Sequence, residues 1–192
     1  MPSDLRHRGW RKSDKEETGK VRDVIEDTPA TRALAGTRLR FDVVRTERPN
    51  SAEESAALQE IEIGRLLRTI VVRRGADDYV FVLVPGGRQI DWPKLRAHLG
   101  VSRLSLPDAE EARAVTGYER GAITPFGSSV PWPVVADAAV PRADRVAIGG
   151  GERGVNLHLV ASDLLDALGA EIADVTRPHE EETARPSTPD IG

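Results

Sequence analysis

The sequence contains no cysteine, which excludes disulfides, thiolate metal sites and a cysteine nucleophile. No apolar stretch approaches the ~20 residues that a membrane-spanning helix needs, so a cytoplasmic, non-membrane protein is expected. Residues 1–20 carry charges but neither an apolar h-region nor a small-residue cleavage pattern, so they are not expected to act as a secretory signal. Also missing are a G-x-x-x-x-G-K-[ST] loop, a G-x-G-x-x-G after a strand, H-E-x-x-H and G-x-S-x-G. The usual nucleotide, zinc and serine-hydrolase readings lose their support accordingly. His7, His98, His158 and His179 are scattered, with no metal-ligand spacing to one another or to an acid, and neither a metal centre nor a cofactor is expected. A formal net charge of -4 argues against a whole-surface nucleic-acid binder and confines any RNA contact to local arginine clusters.

What is present suits one buried domain with polar ends: 192 residues are enough for a single core. The composition predicts a disordered N-terminal arm over 1–26, a folded domain over 27–177 and a disordered C-terminal tail over 178–192. Thr28-Pro29 is a helix start, with Gly36 as its stop. Leu39, Phe41 and Val43 alternate with charged residues as in a half-buried strand. Ser51 and Glu54 have capping-box spacing before an alanine-rich helix. Two apolar, β-branched runs, 69–72 and 79–84, are separated by a short polar connection and predict a hairpin. Helices are predicted over 93–99, ahead of Gly100, and around 112–115 behind Asp108 and Glu111. Strands are predicted at 134–135, 146–148, 155–159 and 172–175, with a helix capped by Ser162 running to Leu168. The succession is neither a regular βαβ repeat nor an all-β pattern, so the fold class is α/β with a mixed, partly antiparallel sheet.

His158 alternates with Leu157 and Leu159; if the leucines face the core, it faces solvent or a cleft and reads as an ordinary structural histidine. The segment 116–129 is long for a structureless connector. Gly117, Gly121 and Gly127 open conformations closed to other residues, and Pro125 stiffens the chain. Composition alone supports a packed surface loop anchored by Phe126 and Trp132. Gly149, Gly150 and Gly151, followed by Gly154, end another strand. By itself this cluster is a turn signal, and the two glycine loops could face each other across a cleft.

Thr116-Gly117-Tyr118 followed by Gly121-Ala-Ile-Thr-Pro-Phe-Gly127 resembles the T-G-[YF]-x-x-G-[GA]-[VI]-x-P-[FVI]-G signature of YbaK-like aminoacyl-tRNA deacylases and prolyl-tRNA-synthetase editing domains. Residues 51–58 resemble that family's early alanine-rich helix, 68–72 its Lys-[TS]-Leu-Val strand and 163–165 its closing helix. The resemblance covers about 28–175. It implies a compact YbaK-like domain with short flanking helices, which hydrolyses the ester joining a small mischarged amino acid to tRNA. The partners it implies are the aminoacyl-tRNA 3′ end and an aminoacyl-tRNA synthetase. It further implies that Gly121, Thr124, Pro125, Phe126, Gly127 and Ser128 wall the substrate pocket, without metal or covalent nucleophile; Gly149, Gly150 and Gly151 are expected to bind substrate from the facing glycine loop.

The chain departs from the pattern at Arg68, which stands where the family has lysine. Arginine keeps the positive charge and can hold phosphate bidentately, but it cannot act as a neutral amine. Arg68 is therefore the candidate catalytic residue, and two readings stand side by side. One is a trans-acting deacylase; the other is a non-catalytic module that binds aminoacyl-tRNA, a nucleotide or a synthetase. Lys94, the lysine within the expected domain, begins a predicted helix and reads as solvated.

Overall fold

The computed structural model describes residues 27–179; the expected arm over 1–26 and most of the expected tail lie outside them. The first helix, α1 (Pro29–Leu34), starts where Thr28 accepts a hydrogen bond from Thr31 N, with proline at its first turn. Strand β1 (Phe41–Arg45) follows, then α2 (Ala52–Leu58), capped by Ser51 Oγ on Glu54 N. The reciprocal half of that capping box is absent, because the Glu54 carboxylate accepts from Asn50 N instead. β2 (Leu66–Gly75) and β3 (Asp78–Pro85) form the expected hairpin, aligned at Val72 and Val80. Its turn is tighter than the sequence suggests, with Asp77 at φ 52.

A short strand that periodicity did not single out, β4 (Arg88–Ile90), leads into α3 (Trp92–Leu99), which Gly100 closes in the left-handed conformation. Next come α4 (Ala109–Thr116), β5 (Val134–Asp137), β6 (Arg145–Gly149) and β7 (Val155–Val160). The last helix, α5 (Ala161–Leu168), has Val160 as its N-cap and no side-chain cap. Ser162 thus lies two positions too late for its predicted role. The final expected strand, 172–175, is the shorter β8 (Glu171–Ala173), and an unexpected strand, β9 (Thr176–Pro178), follows it; β9 pairs antiparallel with β4.

Seven strands form one sheet in the order β1-β7-β6-β2-β3-β5-β8. Pairs β2–β6, β3–β5 and β5–β8 are parallel and the remainder antiparallel, so the sheet is mixed, as expected. Both faces of β3 are covered, which explains its unbroken apolar run. Alternation sends Phe81 and Leu83 into the core under α1, α4 and α5, and Val80, Val82 and Val84 toward Leu95 of α3. On that second face α2 makes a smaller cluster of its own, Ala56 over Leu66 and Ala147. Arg68 and Ile70 share this face of β2 with Leu66 and Val72, so Arg68 sits between the territories of α2 and α3. No helix among the described residues is long and apolar enough to cross a membrane.

Candidate functional site

The site follows from where β6 stops. Its parallel pairing with β2 ends at Leu67↔Ile148, while β2 continues for several more residues with β3 on its other side. Beyond the end of β6 a cleft of about 450 Å³ opens. Its floor includes Arg68, Thr69 and Ile70 of β2. Its walls come from residues 48–52 with Ser55, from Gly121 and Ile123, and from Gly149 and residues 152–156.

The structure thus brings Arg68, Gly121 and Gly149 to one cleft. A direct clamp joins the two glycine loops: Arg153 Nη2 donates to Arg120 O at 2.7 Å. A Cβ on Gly121, whose φ is +87, would lie 3.5 Å from that same guanidinium. Thr124, Pro125, Phe126, Gly127 and Ser128 do not line the cleft, and neither do Gly150 and Gly151. Phe126, Gly127, Gly150 and Gly151 lie instead against α1 or its N-terminal start. Phe126 joins the core beside Leu34, and a Cβ on Gly127 would meet Pro29 O at 2.3 Å. On Gly151 it would meet Tyr118 and Ala30, and on Gly150 it would meet Val155. Thr28 Oγ1 donates to Gly150 O at 2.6 Å, pinning the start of α1 to the second glycine loop. This segment is the scaffold that sets the loop, and its upstream end at Gly121 reaches the cleft.

The loop is held from within. Ser129 N donates to Thr116 O at 3.0 Å, Tyr118 Oη to Phe126 O at 2.7 Å and Trp132 Nε1 to Val115 O at 2.8 Å. Burial pushes the Tyr118 phenol up to about 12, so it serves as a neutral donor throughout the physiological range. Thr124 Oγ1 and Ser128 Oγ are buried with no hydrogen-bond partner among the described residues.

Arg68 is half-buried. Its Nη2 donates to Arg88 O, tying β2 to β4, while its Nε is shielded from solvent and has no partner. Thr69 Oγ1 is in the same condition. Around them Arg48 and Arg153 add positive charge, and Glu152 is the one carboxylate of the lining, 3.6 Å from Arg45. Lys94 is far from this arrangement: its Nζ is 2.8 Å from Asp174 Oδ2, and that hydrogen bond raises its pKa. Lys94 does not stand in for Arg68. Arg74 is likewise occupied, 2.7 Å from Asp78.

Several lining residues were not singled out from the sequence. Asn156 is one, and its signal was available, since a polar residue within an otherwise apolar strand marks a special environment. Ser55 is another. It belongs to a buried relay in which His158 Nε2 meets Gln59 Oε1 at 2.7 Å and Gln59 Nε2 donates to Ser55 Oγ at 3.0 Å. Since the Gln59 amide donates to Ser55, its carbonyl oxygen must accept from His158, which fixes the Nε2–H tautomer. His158 is therefore buried under α2, not solvent-facing. Desolvation, aided by Arg145 and opposed by Asp42, pushes its pKa down to about 4. Among the described residues no group of three or more His, Asp or Glu is placed to hold a metal ion.

Residues 46–167 match the aminoacyl-tRNA editing domain. The candidate Cys-tRNA(Pro)/Cys-tRNA(Cys) deacylase EbsC of Enterococcus faecalis is 26% identical over 126 residues, which cover 66% of this chain and 77% of that protein. A proline–tRNA ligase of Thermosipho melanesiensis is 31% identical over 123 residues. The match covers 64% of this chain and spans only 21% of the ligase. Among solved structures, a candidate trans-editing enzyme for prolyl tRNA synthetase superposes with a TM-score of 0.65 at 26% identity. That superposition covers 71% of this chain and 87% of the other.

Proposed function

This chain belongs to the aminoacyl-tRNA editing domain family, and from that premise we propose that it is a trans-acting deacylase that hydrolyses the ester between tRNA and a small, wrongly attached amino acid. The observation that carries this reading is the cleft past the end of β6, where Arg68, Gly121 and Gly149 meet. Its volume lies at the lower end of small-ligand sites, suited to an aminoacylated ribose rather than to a folded stem. Three arginines against one carboxylate favour a terminal phosphate.

In the reaction a water oxygen bonds to the ester carbonyl carbon, the bond from that carbon to the ribose oxygen breaks, and the ribose oxygen takes up a proton. Negative charge builds on the carbonyl oxygen meanwhile, and fixed donors in a partly dry cleft stabilise it. Arg68 is suited to this work because its cationic side chain lines the cleft and its Nη2 is anchored to Arg88 O. Direct attack by water fits the lining. Ser51 Oγ already accepts from Glu54 N and Ser55 Oγ from Gln59 Nε2, and no histidine or lysine lines the cleft to activate these hydroxyls or that of Thr69.

A small amino acid is the expected substrate group because a synthetase pocket rejects smaller or isosteric side chains poorly, and a second hydrolytic site corrects the error. The match to part of a proline–tRNA ligase supports a synthetase as the partner that supplies the mischarged tRNA. The test is a panel of tRNAs carrying alanine, serine, threonine or cysteine in place of the correct amino acid. Ester loss above the spontaneous rate for at least one supports the reading; stability of all of them refutes it.

A further inference from the structure

A second concavity, about 520 Å³ in volume, lies farther along β2. Arg73, Arg74, Arg96 and Arg103 line it together with Ser102 and Ser105. Arg73 is held by Glu111 at 3.1 Å and Arg74 by Asp78 at 2.7 Å. Arg96, in the last turn of α3, and Arg103, exposed on the loop that follows, have no ion-pair partner among the described residues. Two uncompensated guanidinium groups therefore face a hollow that also offers serine hydroxyls. Its placement matters as much as its charge. Ser105 exchanges backbone hydrogen bonds with Arg73 on the edge of β2 away from β3, the same edge that the first cleft occupies once β6 has ended. The two hollows share one strand edge, with Arg73 about 17 Å from Arg68 along an extended chain.

We propose that this arginine concavity binds the sugar-phosphate backbone of RNA, holding the acceptor stem of the tRNA whose 3′ end enters the cleft. The proposal rests on the deacylase reading for the identity of the RNA, and on the concavity itself for the contact. Guanidinium groups meet phosphate oxygens in a fixed fork, and serine hydroxyls complete such contacts without reading bases. Since the chain as a whole is acidic, with a formal charge of -4, attraction to RNA must come from such a local patch. Binding here is therefore insensitive to stem sequence and sensitive to salt.

An uncharged RNA hairpin with an acceptor-length stem and an unpaired CCA end is the probe, titrated with the full chain by fluorescence anisotropy at about 50 to 200 mM salt. For Arg96→Gln/Arg103→Gln, the slope of log K against log salt becomes shallower by about 1.5, the loss expected for two phosphate contacts. Arg96→Lys/Arg103→Lys keeps the wild-type slope, because charge count sets it. Equal melting temperatures for all three proteins exclude unfolding as the cause. An unchanged slope in the Gln variant overturns the proposal, as does an equal loss in the Lys variant. Binding of polyglutamate through these arginines in place of RNA also overturns it and assigns the surface to an acidic protein. Because the hairpin carries no ester, the two readings fail separately: a failed deacylase leaves esters intact while binding persists, and a failed RNA surface leaves hydrolysis without salt-sensitive binding at these residues.

Discussion

Replacing Arg68 with alanine removes the guanidinium that β2 contributes to the floor of the cleft. A hydrogen bond from a charged donor contributes about 1.5–3 kcal/mol. If that bond is made to the substrate, kcat/KM falls roughly 10- to 150-fold at about 1.4 kcal/mol per factor of ten. The same change also breaks the tether from Arg68 Nη2 to Arg88 O, so a stability loss of about 1 kcal/mol accompanies it. Urea unfolding measures that part independently. Arg68→Lys keeps the charge but cannot hold Arg88 O and a substrate oxygen in the same fork, and falls between wild type and Arg68→Ala. The control is Arg74→Ala, six positions along the same strand, where the guanidinium is already paired with Asp78. The assay is first-order loss of aminoacyl ester from a mischarged tRNA that the wild type hydrolyses. An Arg68→Ala rate within twofold of wild type, or a loss equal to that of Arg74→Ala, refutes the assignment of Arg68 to the substrate.

Lys94→Ala leaves the deacylation rate within about twofold of wild type, because Lys94 is paired with Asp174 outside the cleft. Arg153→Ala releases the clamp on Arg120 O and raises KM several-fold with kcat nearly unchanged, as steady-state kinetics will show. Gly127→Ala combines a φ of +67 with a Cβ 2.3 Å from Pro29 O and costs about 3 kcal/mol in urea unfolding. At Gly36, with φ +82 but nothing within 4 Å, the same change costs only about 1 kcal/mol; equal costs would contradict the packing described for the loop. His158 has a folded-state pKa of about 4 against an ordinary 6.5, so between those values the unfolded chain binds the extra proton. Its contribution is present above about pH 6.5 and is lost as pH falls toward 4, amounting to about 3 kcal/mol. Histidine-resolved NMR titration checks this, and a midpoint near 6.5 for His158 would contradict its burial beneath α2.

The order of strands and helices was legible in the sequence where local chemistry is strong. Thr28-Pro29, Gly100 and the apolar runs of β2 and β3 each carry a physical signal that needs no tertiary context. Ser162 misled because the chain enters α5 directly from β7, with Val160 at the cap position. β4 and β9 were missed because each is three residues long and held by the other; neither has a periodicity of its own. At the site, the motif identified the loop but did not separate its scaffold from its wall. Gly127 and Gly121 both have positive φ, and only the approach of Pro29 to one and Arg153 to the other distinguishes them. Arg48, Ser55 and Asn156 reach the cleft from three different segments, a convergence set by the early end of β6 and by the placement of α2. No local pattern encodes it.

The central claim is that the cleft beyond β6 hydrolyses aminoacyl-tRNA esters. The most direct measurement is the half-life of the ester bond in a panel of tRNAs mischarged with small amino acids, with and without the protein. The account predicts a shortened half-life for at least one of them, restored toward the spontaneous value by Arg68→Ala. Unchanged half-lives across the whole panel, with the protein shown to be folded, would contradict it.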